Sequence, residues 1–199
     1  MRGLTEAGDW AGLARYWMAH DHAPARRHHV RAAAPGRTRE APSAPRRGCT
    51  LNNLGTVQHD SNALEVARDS LEEGLGIYRD LAGVRPEIYR PDLAGTLNNL
   101  GSVQLDLDAL GAAQAALEEG LGILRELARV RPEVYRPALA GALSNVGTLQ
   151  RKLNAHEMAQ ASFEEGLQIY TDLARARPEV YQPDVIRTLN NLGRAQRDF

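Results

Sequence analysis

A chain of 199 residues with a formal net charge of −1 has room for one domain, or one short repeat array, around a contiguous core. Its single cysteine, Cys49, excludes an internal disulfide framework and fits a reducing compartment, so a cytoplasmic location is expected. No stretch approaches the roughly 20 apolar residues of a membrane-spanning helix, and the start of the chain lacks the apolar segment of a secretory signal, so no membrane partner is expected.

Residues 1–48 form a basic leader, with nine Arg against four acidic residues. The remainder is mildly acidic. Within the leader, residues 4–18 can form a short helix with Trp10, Leu13, Ala14 and Trp17 on one face, suited to capping the first helix pair of the array. From His20 to Gly48 there are seven Arg, four Pro and four His and almost no large apolar side chain, a composition that predicts disorder.

Residues 49–199 are periodic. The segment LNNLG at Leu51–Gly55 returns at Leu97–Gly101, as LSNVG at Leu143–Gly147, and as LNNLG at Leu189–Gly193, with a spacing of 46 residues each time. The same offset relates EEGL from Glu72, Glu118 and Glu164, and the segments RPEIYRPDLA, RPEVYRPALA and RPEVYQPDVI from Arg85, Arg131 and Arg177. Residues 50–95 and 96–141 share 32 identities in 46, which marks a duplicated unit. One period before RPEIYRPDLAG the chain reads REAPSAPRRGC, compatible with a decayed repeat, a linker or a reading-frame artefact.

Each unit reads as two helices. Leu51, Leu54, Gly55 and Gln58 follow the spacing of one helical face. Ala113, Leu117, Gly120, Leu121, Leu124 and Ala128 trace a longer second stripe, from about Ala109 to Val130. Pro86, Pro132 and Pro178 are expected to stop the second helix, and Pro91, Pro137 and Pro183 to open the next first helix, with RPEIY or RPEVY as the connection. Asp92 and Asp184 would then sit near the positive end of the helix dipole. No strand alternation appears, so the class is all-α: three helix pairs and one terminal helix, stacked because no pair can bury its apolar face alone. The last helix stands without a second one, which predicts an apolar side suited to an end-to-end homodimer unless the helix is a cap or the array continues.

Leu97, Leu100, Gly101, Ala113, Leu117 and Gly120, with their equivalents in the other units, carry the residue types and spacing of a tetratricopeptide repeat. Residues 50–199 therefore resemble that family, although the unit is longer than its usual period of about 34 residues. The NNLG start and the long unit look most like the extended repeats of bacterial scaffold proteins and of kinesin light chain. The resemblance implies a right-handed superhelical solenoid of antiparallel helix pairs, with the first helices lining a concave groove for a protein or peptide partner. It names no ligand.

Rotation of about 100° per residue from Leu54 puts Asn52 near the far side of its helix and Asn53 near the edge. Two ladders result: Asn53, Asn99, Asn145 and Asn191, and Asn52, Asn98, Ser144 and Asn190. A carboxamide both donates and accepts, so such a row can hold an extended peptide backbone irrespective of sequence, or can tie neighbouring helices together. Arg151, Arg194 and Arg197 make the C-terminal half more basic, suited to a carboxylate or to a solvated face. Helical Gly74, Gly76, Gly120, Gly122 and Gly166 point to close helix approach, and Tyr89, Tyr135 and Tyr181 to core staples. Glu72 and Glu73 recur in every unit as a solvating pair, and His59 and His156 stand alone. Neither a metal site nor a cofactor loop is legible, so a non-enzymatic binding scaffold is expected, without metal or cofactor. The alternatives are a regulatory fragment of a larger enzyme or signalling protein, and nucleic-acid association through the Arg-rich leader; the acidic array makes nucleic acid the unfavoured partner.

Overall fold

Each 46-residue unit folds into two helices separated by two different corners. The computed structural model describes residues 43–197. Its helices are α1 (Ala44–Asp60), α2 (Leu64–Val84), α3 (Pro86–Asp106), α4 (Leu110–Val130), α5 (Pro132–Lys152), α6 (His156–Ala176) and α7 (Pro178–Arg197), with no strand among the described residues. The fold is an all-α solenoid of helix pairs. Residues 4–18 and Phe199 lie outside the described residues. Helix α1 begins at Ala44, with a proline in its first turn, and so reaches back into the stretch read as disordered.

The first corner turns on a left-handed residue. Asn62, Asp108 and Asn154 have φ of 59°, 56° and 59°, a region that short polar side chains tolerate better than other non-glycine residues. The amides of Ala63, Ala109 and Ala155 then reach back to the carbonyls of Gln58, Gln104 and Gln150, each at 2.8 Å, satisfying the end of the helix.

The second corner is a single residue. Arg85, Arg131 and Arg177 have φ near −138°, −136° and −142°, and the proline after each is already the first residue of the next helix. RPEIY and RPEVY are therefore helical rather than a connection. Pro91, Pro137 and Pro183 lie inside helices instead of opening them. The amide each one lacks would have bonded the carbonyl of Glu87, Glu133 or Glu179, all exposed residues whose carbonyls water can serve. The acids in the first turn are those glutamates, so the dipole role expected of Asp92 and Asp184 moves to them. Tyr135 and Tyr181 are buried and Tyr89 half-buried in the new first turn. Arg131 stacks over the Tyr135 ring at 5.3 Å and donates to its hydroxyl at 2.8 Å, and Arg177 covers Tyr181 at 5.5 Å.

Within each unit the helices meet at a glycine. A Cβ on Gly55 or Gly101 would lie 2.5 Å from Cγ of Leu71 or Leu117, and one on Gly147 would lie 2.8 Å from the Phe163 ring. These three large side chains are fully buried, each stabilising the pair by about 1.5–3 kcal/mol through removal from water. Gly74, Gly120 and Gly166 make the reciprocal close approach. Gly76 and Gly122 do not: a Cβ on either would meet nothing within 4 Å, so the expectation of close packing fails there.

Between units, the first helices α1, α3, α5 and α7 pack successively on one another, whereas the second helices make no comparable contact. The stack therefore bends toward its first helices. The wider gap between second helices is spanned by long side chains, Arg79 to Glu119 at 2.6 Å and Arg125 to Glu165 at 2.7 Å.

Candidate binding groove

The first helices α3 and α5 contact their own second helix, the preceding second helix and a first helix on either side, so little of their circumference is left to solvent. On α3 from Asp92 onward the residues that remain accessible are Asp92, Gly95, Asn99, Ser102 and Asp106, spaced by three and four along one face. The corresponding stripe on α1 is Cys49, Asn53, Thr56 and Asp60. On α5 it runs through Ala138, Asn145, Thr148 and Lys152, and on α7 through Asp184, Arg187, Asn191 and Arg194. Stacked side by side, these stripes form the concave face, with Asn53, Asn99, Asn145 and Asn191 as its middle row. Small residues flank that row in the first three units, and arginines in the last.

The second ladder is placed differently from the sequence expectation. Asn98 and Ser144 are 4% and 2% exposed, held between successive first helices rather than on their far side. Asn52 is half-buried, and Asn190 is exposed where no further first helix follows among the described residues. The two ladders are hydrogen-bonded to each other: Asn99 Nδ2 donates to Asn52 Oδ1, and Asn145 Nδ2 to Asn98 Oδ1, both at 3.1 Å. Asn53, in the first unit, donates instead to Cys49 Sγ at 3.7 Å. One amide hydrogen of Asn99 and of Asn145 is thus committed to the scaffold. The second hydrogen and the carbonyl oxygen of each remain for the groove.

The basic residues divide. Arg194 lies on the groove stripe, Arg197 is exposed one turn further on, and Arg151 occupies the position of buried His59 and Leu105, at the seam between units. Arg187, which the sequence did not single out, faces the groove and pairs with Asp184. Its signal was available as the one charged residue in a column otherwise made of Cys49, Gly95 and Gly141. His59 is not solitary: its Nε2 lies 2.7 Å from Asp106 Oδ2 of the next unit. The recurring glutamates do more than solvate, because Glu119 and Glu165 bridge second helices. Near the outer edge, the Arg136 guanidinium at 2.9 Å holds the Asp172 carboxyl below its ordinary range. Among the described residues no group of three His, Cys, Asp or Glu could hold a metal ion, and no helix is long and apolar enough to cross a membrane.

Fold and face together define a helical-repeat protein with a concave, carboxamide-lined surface. Among solved structures, the crystal structure of BtubC (BKLC) from P. vanneervenii is similar, with a TM-score of 0.55 and 18% sequence identity over 80% of this chain and 65% of that one. The chain thus spans just under two thirds of that protein's length, and at this identity the likeness shows the fold alone. No family model and no curated relative matches the chain.

Proposed function

We propose that the chain is a non-catalytic, cytoplasmic interaction scaffold of tetratricopeptide type that takes a peptide or protein partner on its concave face. The carrying observation is the middle row of the groove, where Asn99 and Asn145 are held in place by Asn52 and Asn98 while keeping a donor and an acceptor each for a ligand main chain. Tying a carboxamide down beforehand lowers the entropic cost of using it to bind. Gly95, Ser102 and Thr148 beside the row leave room for a backbone to approach. Arg187 and Arg194 at the C-terminal end favour a ligand carboxylate there.

A peptide selected from a random display library against the whole chain tests this reading. Ser102→Trp or Thr148→Trp, placed on the groove floor, should abolish its binding, and Glu118→Trp on an exposed second-helix face should not. Peptides that survive both groove substitutions and cross-link to second helices instead would overturn the assignment.

A further inference from the structure

Where α2 meets α3, the groove carries a carboxylate and a hydroxyl that the last unit joins with an arginine. Three columns of the repeat come together there, each stepping by 46 residues. One is Tyr78, Leu124 and Tyr170 on the second helices; the others, on the first helices that follow, are Asp92, Ala138 and Asp184, and Gly95, Gly141 and Arg187. In the last unit Arg187 pairs with Asp184 and reaches the hydroxyl of Tyr170. The middle unit has neither the tyrosine nor the aspartate, and no arginine. Between α2 and α3 the tyrosine and the aspartate are both present, and a glycine stands in the arginine's place. Tyr78 is 4% exposed, and its hydroxyl, engaged by no hydrogen bond among the described residues, lies in the field of the Asp92 carboxylate, with Tyr89 and Cys49 of α1 close by. Asp92 keeps its access to the groove, yet the protein around it pushes its carboxyl up to about 6, and no cation among the described residues acts against that. A Cβ on Gly95 would meet nothing within 4 Å, so the room that the Arg187 side chain takes on α7 is open on α3.

We propose that this site receives an arginine side chain of the peptide partner, its guanidinium donating to the Asp92 carboxylate and to the Tyr78 hydroxyl oxygen as Arg187 does to Asp184 and Tyr170. A planar guanidinium has donors enough to serve both oxygens at once, and it sheds water more readily than an ammonium group. Gly95 leaves the way in from the groove unobstructed. Asn99 lies about one helical turn further along the same stripe, where it can hold the main chain of the ligand whose arginine is seated at Asp92. Resting on the concave face as the peptide-binding surface, the assignment narrows its ligand to peptides with an obligatory arginine.

Two measurements on the complete 199-residue chain test the site. At about pH 7.5, where the carboxylate is ionised, Gly95→Arg should melt about 1–3 °C above Gly95→Gln, a helix former of similar rank without the charge, and Asp92→Asn should erase that difference. The second measurement uses peptides selected from a random display library whose binding Ser102→Trp abolishes. Each should contain an arginine whose change to glutamine costs about tenfold or more in affinity. That cost should fall below about twofold on Asp92→Asn, and to an intermediate value on Tyr78→Phe, which keeps the buried ring. Groove peptides without such an arginine, or with one whose cost Asp92→Asn leaves unchanged, would overturn the proposal while the peptide groove stands. Failure to select any peptide sensitive to Ser102→Trp would overturn both. Equal melting of Gly95→Arg and Gly95→Gln would overturn the proposal without reference to any ligand.

Discussion

Ala116→Ser should stabilise the protein. In the first and third units a serine on the second helix donates to a glutamine of the first: Ser70 to Gln58 Oε1 at 2.8 Å, and Ser162 to Gln150 Oε1 at 2.7 Å. The middle unit has Ala116 at that place, and the buried Oε1 of Gln104 has no partner. Both residues are only 6% exposed. An unpaired buried acceptor costs about 1–3 kcal/mol, and a serine inside a helix about 0.5 kcal/mol relative to alanine. The net gain should be about 1 kcal/mol, a rise of roughly 2–4 °C in thermal midpoint for a domain of this size. Urea unfolding of Ala116→Ser beside the parent, with Ser162→Ala as the reciprocal loss, measures it. Because contacts run mainly between neighbouring elements, transition midpoints are the safer comparison. A midpoint unchanged or lowered by Ala116→Ser, with Ser162→Ala still costly, would refute the claim that the Gln104 oxygen lacks only this donor.

Gly122→Ala should stabilise by about 1 kcal/mol through helix propensity alone, since its Cβ would meet open space, whereas Gly101→Ala should destabilise by about 1–3 kcal/mol because its Cβ would lie 2.5 Å from Leu117 Cγ; thermal melts of the two variants give opposite signs if both hold. The contribution of Asp172, whose carboxyl Arg136 holds below the usual range, is present above the unfolded carboxylate value of about 3.9 and is lost as pH falls through its lower native range. The difference in melting midpoint between the parent and Arg136→Gln should therefore shrink as the buffer is taken below about pH 4.

The period, the helix pairing and the limits of the second helices were legible because α2, α4 and α6 each bury one stripe and expose the rest. The first helices were harder. Leu54 served as the marker of the buried direction, yet it is 44% exposed, on the side of α1 that no earlier helix covers among the described residues. Interior α3 is surrounded by neighbours, so Thr96, Asn98 and Gln104 are buried along with its leucines and no single polar face announces the groove. The two Asn ladders therefore exchanged places, Asn98 going inside and Asn99 outside. The start of the first helix was missed for a different reason. Two prolines five residues apart offer two places to begin, and local rules favour ending a connection at the second. The burial of Tyr135 and Tyr181 in the turn ahead of that second proline decides for the first, and burial is a tertiary fact.

The unequal joints of the stack act like those of a hand fan. Along the inner edge the ribs are pinned by direct helix contact and by short carboxamide bonds. Along the outer edge they are tethered by exposed arginine–glutamate pairs, which are weak, long-armed and screened by salt. Opening or closing such an object costs little at the tethers and much at the pins, so its softest deformation changes curvature while keeping the spacing of the inner row. The asparagines then form a ruler of constant pitch on a surface of adjustable radius. Ionic strength should alter the radius of gyration seen by small-angle scattering before it alters the midpoint of unfolding.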